Sequence, residues 1–322
     1  MITWGINALN HDASIAVFDN DELKFWKRSS EYTGQPGDDQ LNSDLIRDSF
    51  KSAGDRGPDQ IIWYERPWLK KTRQAFAGQW GWALDFDEIP TRYLKKFGLG
   101  YSKISYMPHH LSHAAAGFLT SPFDEATIVV LDAIGEWESS TIWKGQGTKL
   151  EKVWSRSYPT SLGLFYSAFT HLIGLKPVRE EHKLQQLSGQ GNPDRFYEKV
   201  KSYWRDDWTI RANLHKGIQD WGPIDQSDSA DIAAAAQKVF EEKADEVMRW
   251  AKILTSSNNL VYMGGCAMNS KFNSSLPDHW QGVWSLPIPG DSSSAIGAVL
   301  YKKQIRMRWD GGLAKHIPLV YN

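Results

Sequence analysis

The sequence predicts an α/β protein of two lobes with a ligand cleft between them, and three observations predict it. A short apolar run at residues 2–6, a polar turn at 7–12 and a second apolar run at 13–18 open the chain. The same strand–turn–strand unit returns about 120 residues later, at 126–131, 132–139 and 141–143. Helical and strand-like runs then alternate to the end of the chain, which is the pattern of a layered α/β fold. The echo is one of topology, and it divides the chain into an N-terminal lobe at 1–122 and a C-terminal lobe at 123–322. The last helix is free to pack back on the first lobe. Polar turns at equivalent places in both lobes point to a duplicated nucleotide-binding architecture.

The elements follow in order. After the first unit comes a strand at 60–64, then an aromatic and partly basic stretch to Gly98, then a helix carrying His109 to Phe118. After the second unit, 161–174 reads as an apolar helix. Residues 229–254 form the clearest helix: Ser229 caps it, and Ile232, Ala236, Phe240, Ala244, Val247, Ala251 and Leu254 mark one apolar face. It leads into a strand at 260–263 that ends on Gly264 and Gly265. A strand at 283–286, a loop at 287–291 and a helix at 295–301 close the pattern. No Gly/Ser- or Pro-rich linker separates the halves.

Composition narrows the function classes. With 37 basic and 38 acidic side chains the formal net charge is −1, which gives no electrostatic footprint for a nucleic-acid backbone. Sixteen tryptophans are expected to pack the core and the contact between lobes. The single cysteine, Cys266, leaves no intrachain disulfide, fits a reducing compartment and reads as a buried small residue. The N-terminus has no secretory pattern, and no apolar run approaches the ~20 residues that span a bilayer. A soluble cytoplasmic protein is expected.

The chemistry-bearing residues are few. His109 and His113 stand four apart in PHHLSHAAAGF, so one helical face presents both imidazoles to one cation. His110 points elsewhere and is expected to make a structural hydrogen bond. Asp132 ends an apolar strand and Asp291 ends a strand–loop, places where a lone buried carboxylate is costly unless paired or metal-bound. Two imidazoles and two carboxylates suit Fe(II), Mn(II) or Zn(II). Gly264 and Gly265, between strand and helix, fit either a nucleotide approaching the backbone or tight packing. Neither a P-loop, a GxGxxG fingerprint nor a GxSxG elbow occurs.

These residues belong to a longer set of motifs. GINALNHDASIAV opens the chain, followed by YERPWLKKTR, HHLSHAAAGF, VVLDAIGEWESSTIW, SLGLFYSAFTHLIGL, EEHKLQQLSGQG, YMGGCAMNSKFN and PIPGDSSSAIGA. In that order they resemble the N-terminal, actin-like domain of NodU-type O-carbamoyltransferases. The resemblance implies the two-lobed actin-like (ASKHA) fold and a metal, iron in the best-known relatives, held by His109, His113, Asp132 and Asp291. It implies that the metal holds the phosphate of carbamoyl-adenylate, made from carbamoyl phosphate and ATP, between the lobes. His11 and Asp12 would face the carbamoyl group and a small hydroxylated acceptor, with His11 taking the hydroxyl proton and Asp12 setting its position. Gly135, Lys183, Gly264, Gly265 and Asn269 would lie around the nucleotide.

The chain also departs from the family. The YrdC-like domain that makes the adenylate in full-length relatives is missing before Asn322, and the closing HIPLVYN reads as a finished end. Three explanations stand open: a separate YrdC-like protein as partner, a reduced form of the enzyme with a different donor route, or a truncated form of a longer protein. Ala133 and Ser293 stand where the family has glycines, Trp26 to Glu31 replaces an acidic-Arg run, and Gln185-Gln186 replaces a Met-Gly pair. Two other readings compete. One is a tRNA-modifying enzyme using threonylcarbamoyl-adenylate, and the other a non-catalytic nucleotide- and metal-binding subunit.

Overall fold

A computed structural model describes residues 1–100 and 102–309; the closing segment 316–322 lies outside them. The chain folds as two five-stranded sheets. The first holds β1 (Ile2–Asn7), β2 (Ser14–Asp19), β3 (Glu22–Arg28), β4 (Gln60–Trp63) and β5 (Lys103–Tyr106) in the order β3-β2-β1-β4-β5. The second holds β6 (Glu125–Leu131), β7 (Glu138–Gln146), β8 (Lys149–Ser157), β9 (Asn259–Met263) and β10 (Gly282–Trp284) in the order β10-β9-β6-β7-β8. Counted within each half, the two orders are one: the first three strands form an antiparallel meander, and the fourth and fifth add in parallel beside the first. The repeat read from two strand–turn–strand units thus extends to all ten strands.

The central strands β1 and β6 are buried along nearly their whole length. Burial on both faces is why each reads as a continuous apolar run. The outer strands β3 and β8 are half-exposed and carry Lys, Arg and Glu. Together with the four-residue β5, they escape a search for apolar runs.

Two helices place the residues of interest. His109–Thr120 follows the last strand of the first sheet yet packs on β6, β7 and β9 of the second. Ser294–Lys303 follows the last strand of the second sheet and packs on β1, β2 and β4 of the first. They cross in the closest helix–helix contact of the fold. A Cβ at Gly297 would sit 2.8 Å from Ala116 Cα and closer still to Ser112 O. Glycine is required there by backbone approach alone. Alanines 114–116 serve the same end from the other side.

Elsewhere the helices follow expectation with two corrections. Ser161 caps Leu162–Leu172 by accepting the Leu164 N–H at 3.0 Å. The long helix is Ser229–Thr255, but Ser229 lies inside its first turn, and a 3-10 turn at Gln226–Asp228 feeds the helix without a side-chain cap. Leu254 is exposed, because the buried stripe has rotated off it by the last turn and continues to Thr255. Ten of the sixteen tryptophans are buried, which suits the packing role expected of them, while Trp68, Trp80 and Trp82 are exposed. Among the described residues, no helix is long and apolar enough to cross a membrane.

Candidate metal centre

Three segments bring four donors to one point between the sheets. The His109–Thr120 helix, starting directly after Pro108, presents His109 and His113 one turn apart, with their rings 4.9 Å between centroids. Asp132 leaves the end of β6, its backbone N–H bonded to Ser139 O at 2.9 Å and its C=O accepting from Ser161 Oγ at 3.2 Å. Asp291 opens the turn into Ser294–Lys303, and the following Ser292 O accepts from Ser14 Oγ (2.7 Å) and Trp26 Nε1 (3.2 Å). All four residues are buried, and one donor atom of each lies within 4.8 Å of the others.

The distances suit a cation. His109 Nε2 is 3.1 Å from His113 Nε2 and 3.2 Å from Asp132 Oδ2, and His113 Nε2 is 3.1 Å from Asp291 Oδ1. Metal–ligand bonds of about 2.1 Å set neighbouring donors roughly 3.0–3.4 Å apart. The Nδ1 atoms of both histidines are buried without a hydrogen bond, so both rings turn Nε2 to the common point. Behind His109, Glu65 Oε2 stands 3.8 Å from Nδ1, the position from which a carboxylate orients a metal-bound imidazole. The residues fit a divalent metal of intermediate hardness.

Electrostatics describe the same cluster without an ion. Burial pushes the His109 imidazole down, but the charge of Asp291 and the nearby carboxylates of Asp132 and Glu65 hold it well above its ordinary value. Burial raises the Asp132 and Asp291 carboxyls, yet the facing histidines hold both below the carboxylate range. His110 goes the other way: burial holds it well below its ordinary value, and its Nδ1 meets Thr141 Oγ1 at 3.0 Å. It is the structural histidine expected.

Around the donors, the turn after β1 supplies the next layer. His11 Nε2 lies 3.7 Å from Asp291 Oδ2, and the side chain is partly open. Asp12 adopts φ +50 beside it but makes no side-chain hydrogen bond to His11 among the described residues. The turn is instead fixed by Asn7 Nδ2, which donates to His11 O (3.3 Å) and Asp12 O (2.8 Å). Asn10, to which the sequence assigned no role, donates to Asp291 Oδ2 at 2.7 Å. Glu65 was likewise missed, although it lies in the YERP motif; its Oε1 binds Lys70 Nζ at 2.8 Å, and Lys70 also donates to Leu9 O.

The glycines serve close approaches. A Cβ on Gly135 would meet the His109 and His110 rings at 3.0 Å. Gly264 takes φ +93 with its Cα against Leu131 O, and the Gly265 N–H donates to Asp132 Oδ1 at 3.1 Å. The pair therefore packs tightly and aims a metal-facing carboxylate. Asn269 is buried and reciprocally bonded to Gln237 at 3.0 Å, and it caps Ser270–Asn273. Lys183 is exposed and pairs with Glu180 at 2.5 Å, away from the four donors. Its helix, Glu181–Leu187, touches Ser270, the neighbour of Asn269, through Gln185 at 2.7 Å. Between the β4 and β6 ends, Arg66 binds the buried Glu136 through Nε (3.0 Å), Nη2 (2.8 Å) and its own N–H (2.6 Å).

Comparison with known proteins places this geometry. The model of the family described as carbamoyltransferase N-terminus matches residues 85–300. The uncharacterized protein sll1178 of Synechocystis is 30% identical over 345 residues, covering 92% of this chain and 56% of that protein. The nodulation protein NolNO of Sinorhizobium fredii is 27% identical over 217 residues, covering 62% of this chain and 31% of that protein. Among solved structures, HypF of T. kodakarensis superposes with a TM-score of 0.50 at 12% identity, covering 94% of this chain and 47% of that one. That likeness is one of fold, and the fold is the actin-like one. The chain spans about half the length of the curated relatives it matches over most of its own.

Proposed function

The chain belongs to the carbamoyltransferase family, whose N-terminal model covers 216 of its 322 residues, and on that premise we propose that it performs the transfer half of an O-carbamoylation. In this reading a carbamoyl group passes from carbamoyl-adenylate to the hydroxyl of a small acceptor. The adenylate is made from carbamoyl phosphate and ATP by a YrdC-like activity. A cytoplasmic setting suits that supply and the lone Cys266.

The observation that carries the reading is the convergence of His109, His113, Asp132 and Asp291, all buried, where the His109–Thr120 helix meets the start of Ser294–Lys303. These four residues would hold a divalent ion, iron by preference, which would supply a Lewis acid for the donor's phosphate oxygens. The protein's own residues do the rest. His11, partly open and facing Asp291, takes the proton of the acceptor hydroxyl as its oxygen attacks the carbamoyl carbon. The bond from that carbon to the phosphate oxygen breaks, and AMP leaves. Asn7 and Asn10 hold the His11 turn and the Asp291 carboxylate in mutual register. The adenosine lies along Gly264, Gly265 and Gly135, and Asn269 and Lys183 form the far wall.

The test is direct. Metal-loaded protein is incubated with preformed carbamoyl-adenylate and a panel of hydroxyl acceptors, and AMP release is followed. Acceptor-dependent release is expected; its absence with every acceptor favours a non-catalytic metal-binding subunit. His11→Ala should abolish transfer and leave metal content intact, and transfer surviving in that variant would remove His11 from the mechanism.

A further inference from the structure

The helix Pro67–Phe76 buries a guanidinium that no carboxylate among the described residues pairs with. Arg73 is only 7% exposed, yet it makes one side-chain hydrogen bond, from Nη1 to Gln79 Oε1 at 2.9 Å, and its buried Nε has no partner. Among the described residues it forms no ion pair. The carboxylate that its charge senses, Glu65, is already bonded to Lys70 and turned toward His109. A buried donor of a cation left without a partner is costly in the ordinary case.

The surroundings are built to hold the guanidinium still. Gln79 Nε2 is locked against His215 Nε2 at 2.7 Å, which fixes the amide that receives Nη1. Tyr158, whose ring lies 6.1 Å from that of His215 between centroids, is pinned through its hydroxyl by Asn213 at 2.5 Å. His215 Nδ1 and Gln74 Oε1 are buried beside this group without partners of their own. An arginine fixed on one edge and idle on the other presents the Nε/Nη2 fork, which matches two oxygens of a phosphate or carboxylate.

We infer that Arg73 is the base of an oxyanion-binding subsite, opening between the Pro67–Phe76 helix and the segments of Tyr158 and His215. Glu65, which faces His109 Nδ1 at 3.8 Å, precedes the Pro67–Phe76 helix that carries Arg73 by two residues. The oxyanion is either the phosphate of the donor or a carboxylate of the acceptor. The subsite itself stands on burial and pairing, and the identity given to its anion rests on the transfer reading.

The test uses the full chain stripped of metal with chelator, so that anions cannot bind at the histidine–aspartate cluster. Inorganic phosphate and acetate are titrated separately by calorimetry into wild type, Arg73→Gln and Arg73→Lys. Saturable binding of one of them to wild type is expected, weakened about tenfold or more in Arg73→Gln and less in Arg73→Lys. Preference for phosphate assigns the donor, and preference for acetate assigns the acceptor. Failure of both anions to bind wild type saturably overturns the subsite, as does unchanged binding in a folded Arg73→Gln. Should Arg73→Gln not fold, the wild-type titration and Arg73→Lys still decide. Loss of AMP release with anion binding intact would count against the transfer reading alone.

Discussion

Replacing Gly297 by alanine should lower both stability and metal affinity, although alanine is the better helix former. In a free helix interior the change stabilises by roughly 0.5–1 kcal/mol. Here the new Cβ would lie 2.8 Å from Ala116 Cα and closer to Ser112 O, whereas ordinary contact begins at 3.4 Å. The two helices must part by at least 0.6 Å, and neither obstacle is a flexible side-chain end. Overpacking of this kind costs about 1–3 kcal/mol, enough to reverse the propensity gain. The same wedge acts on function, because His113 rides on one helix and Asp291 leads directly into the other, 3.1 Å apart. Metal sites tolerate about 0.2 Å of ligand displacement, so affinity should fall about tenfold or more. Thermal unfolding and metal titration of Gly297→Ala measure both effects. Gly81→Ala, where a Cβ meets nothing within 4 Å, is the control. A Gly297→Ala protein as stable as wild type, with unchanged metal affinity, would refute the claim that this crossing sets the ligand geometry.

Other changes probe the shell around the donors. Asn10→Ala removes the 2.7 Å bond to Asp291 Oδ2 and should weaken metal binding several-fold, about 1 kcal/mol, with little change in unfolding temperature. Arg66→Ala leaves Glu136 buried without its bidentate partner, and chemical denaturation should show a loss of about 1–3 kcal/mol, discounted toward the low end because Arg66 is half-exposed. Burial, helped by the Asp132 and Glu181 charges, pushes the Cys266 thiol well above its ordinary pKa. Iodoacetamide should therefore leave native protein unmodified and label it only on unfolding, as followed by intact mass.

Much of the fold was legible because the central strands are buried on both faces. Residues 2–6 and 126–131 carry an unbroken apolar signal, and His109–Thr120 is marked by its small residues. The outer strands β3 and β8 were silent because solvent takes one face and salt-bridging residues such as Lys27 and Lys152 fill it. The identity of the two strand orders is a long-range property, and no local pattern carries it.

The four donors could be picked out from spacing and from the cost of burying a lone aspartate. Their supporting residues could not. Asn10 meets Asp291 across 281 positions, and Gly265 meets Asp132 across 133. Glycines read for a nucleotide also serve to aim a carboxylate, and the Asn7 side chain holds the His11 turn where Asp12 was expected to position His11. Arg73 lay in a quoted motif, but its isolation is visible only once the chain has folded around it.

The most direct test of the metal centre is stoichiometry. Protein stripped of metal and reconstituted anaerobically with Fe(II), Mn(II) or Zn(II) should retain, by elemental analysis, about one ion per chain. His113→Ala combined with Asp291→Ala should retain almost none, with the far-ultraviolet circular dichroism of wild type. Equal metal content in wild type and the double variant, or none in wild type, would contradict the account.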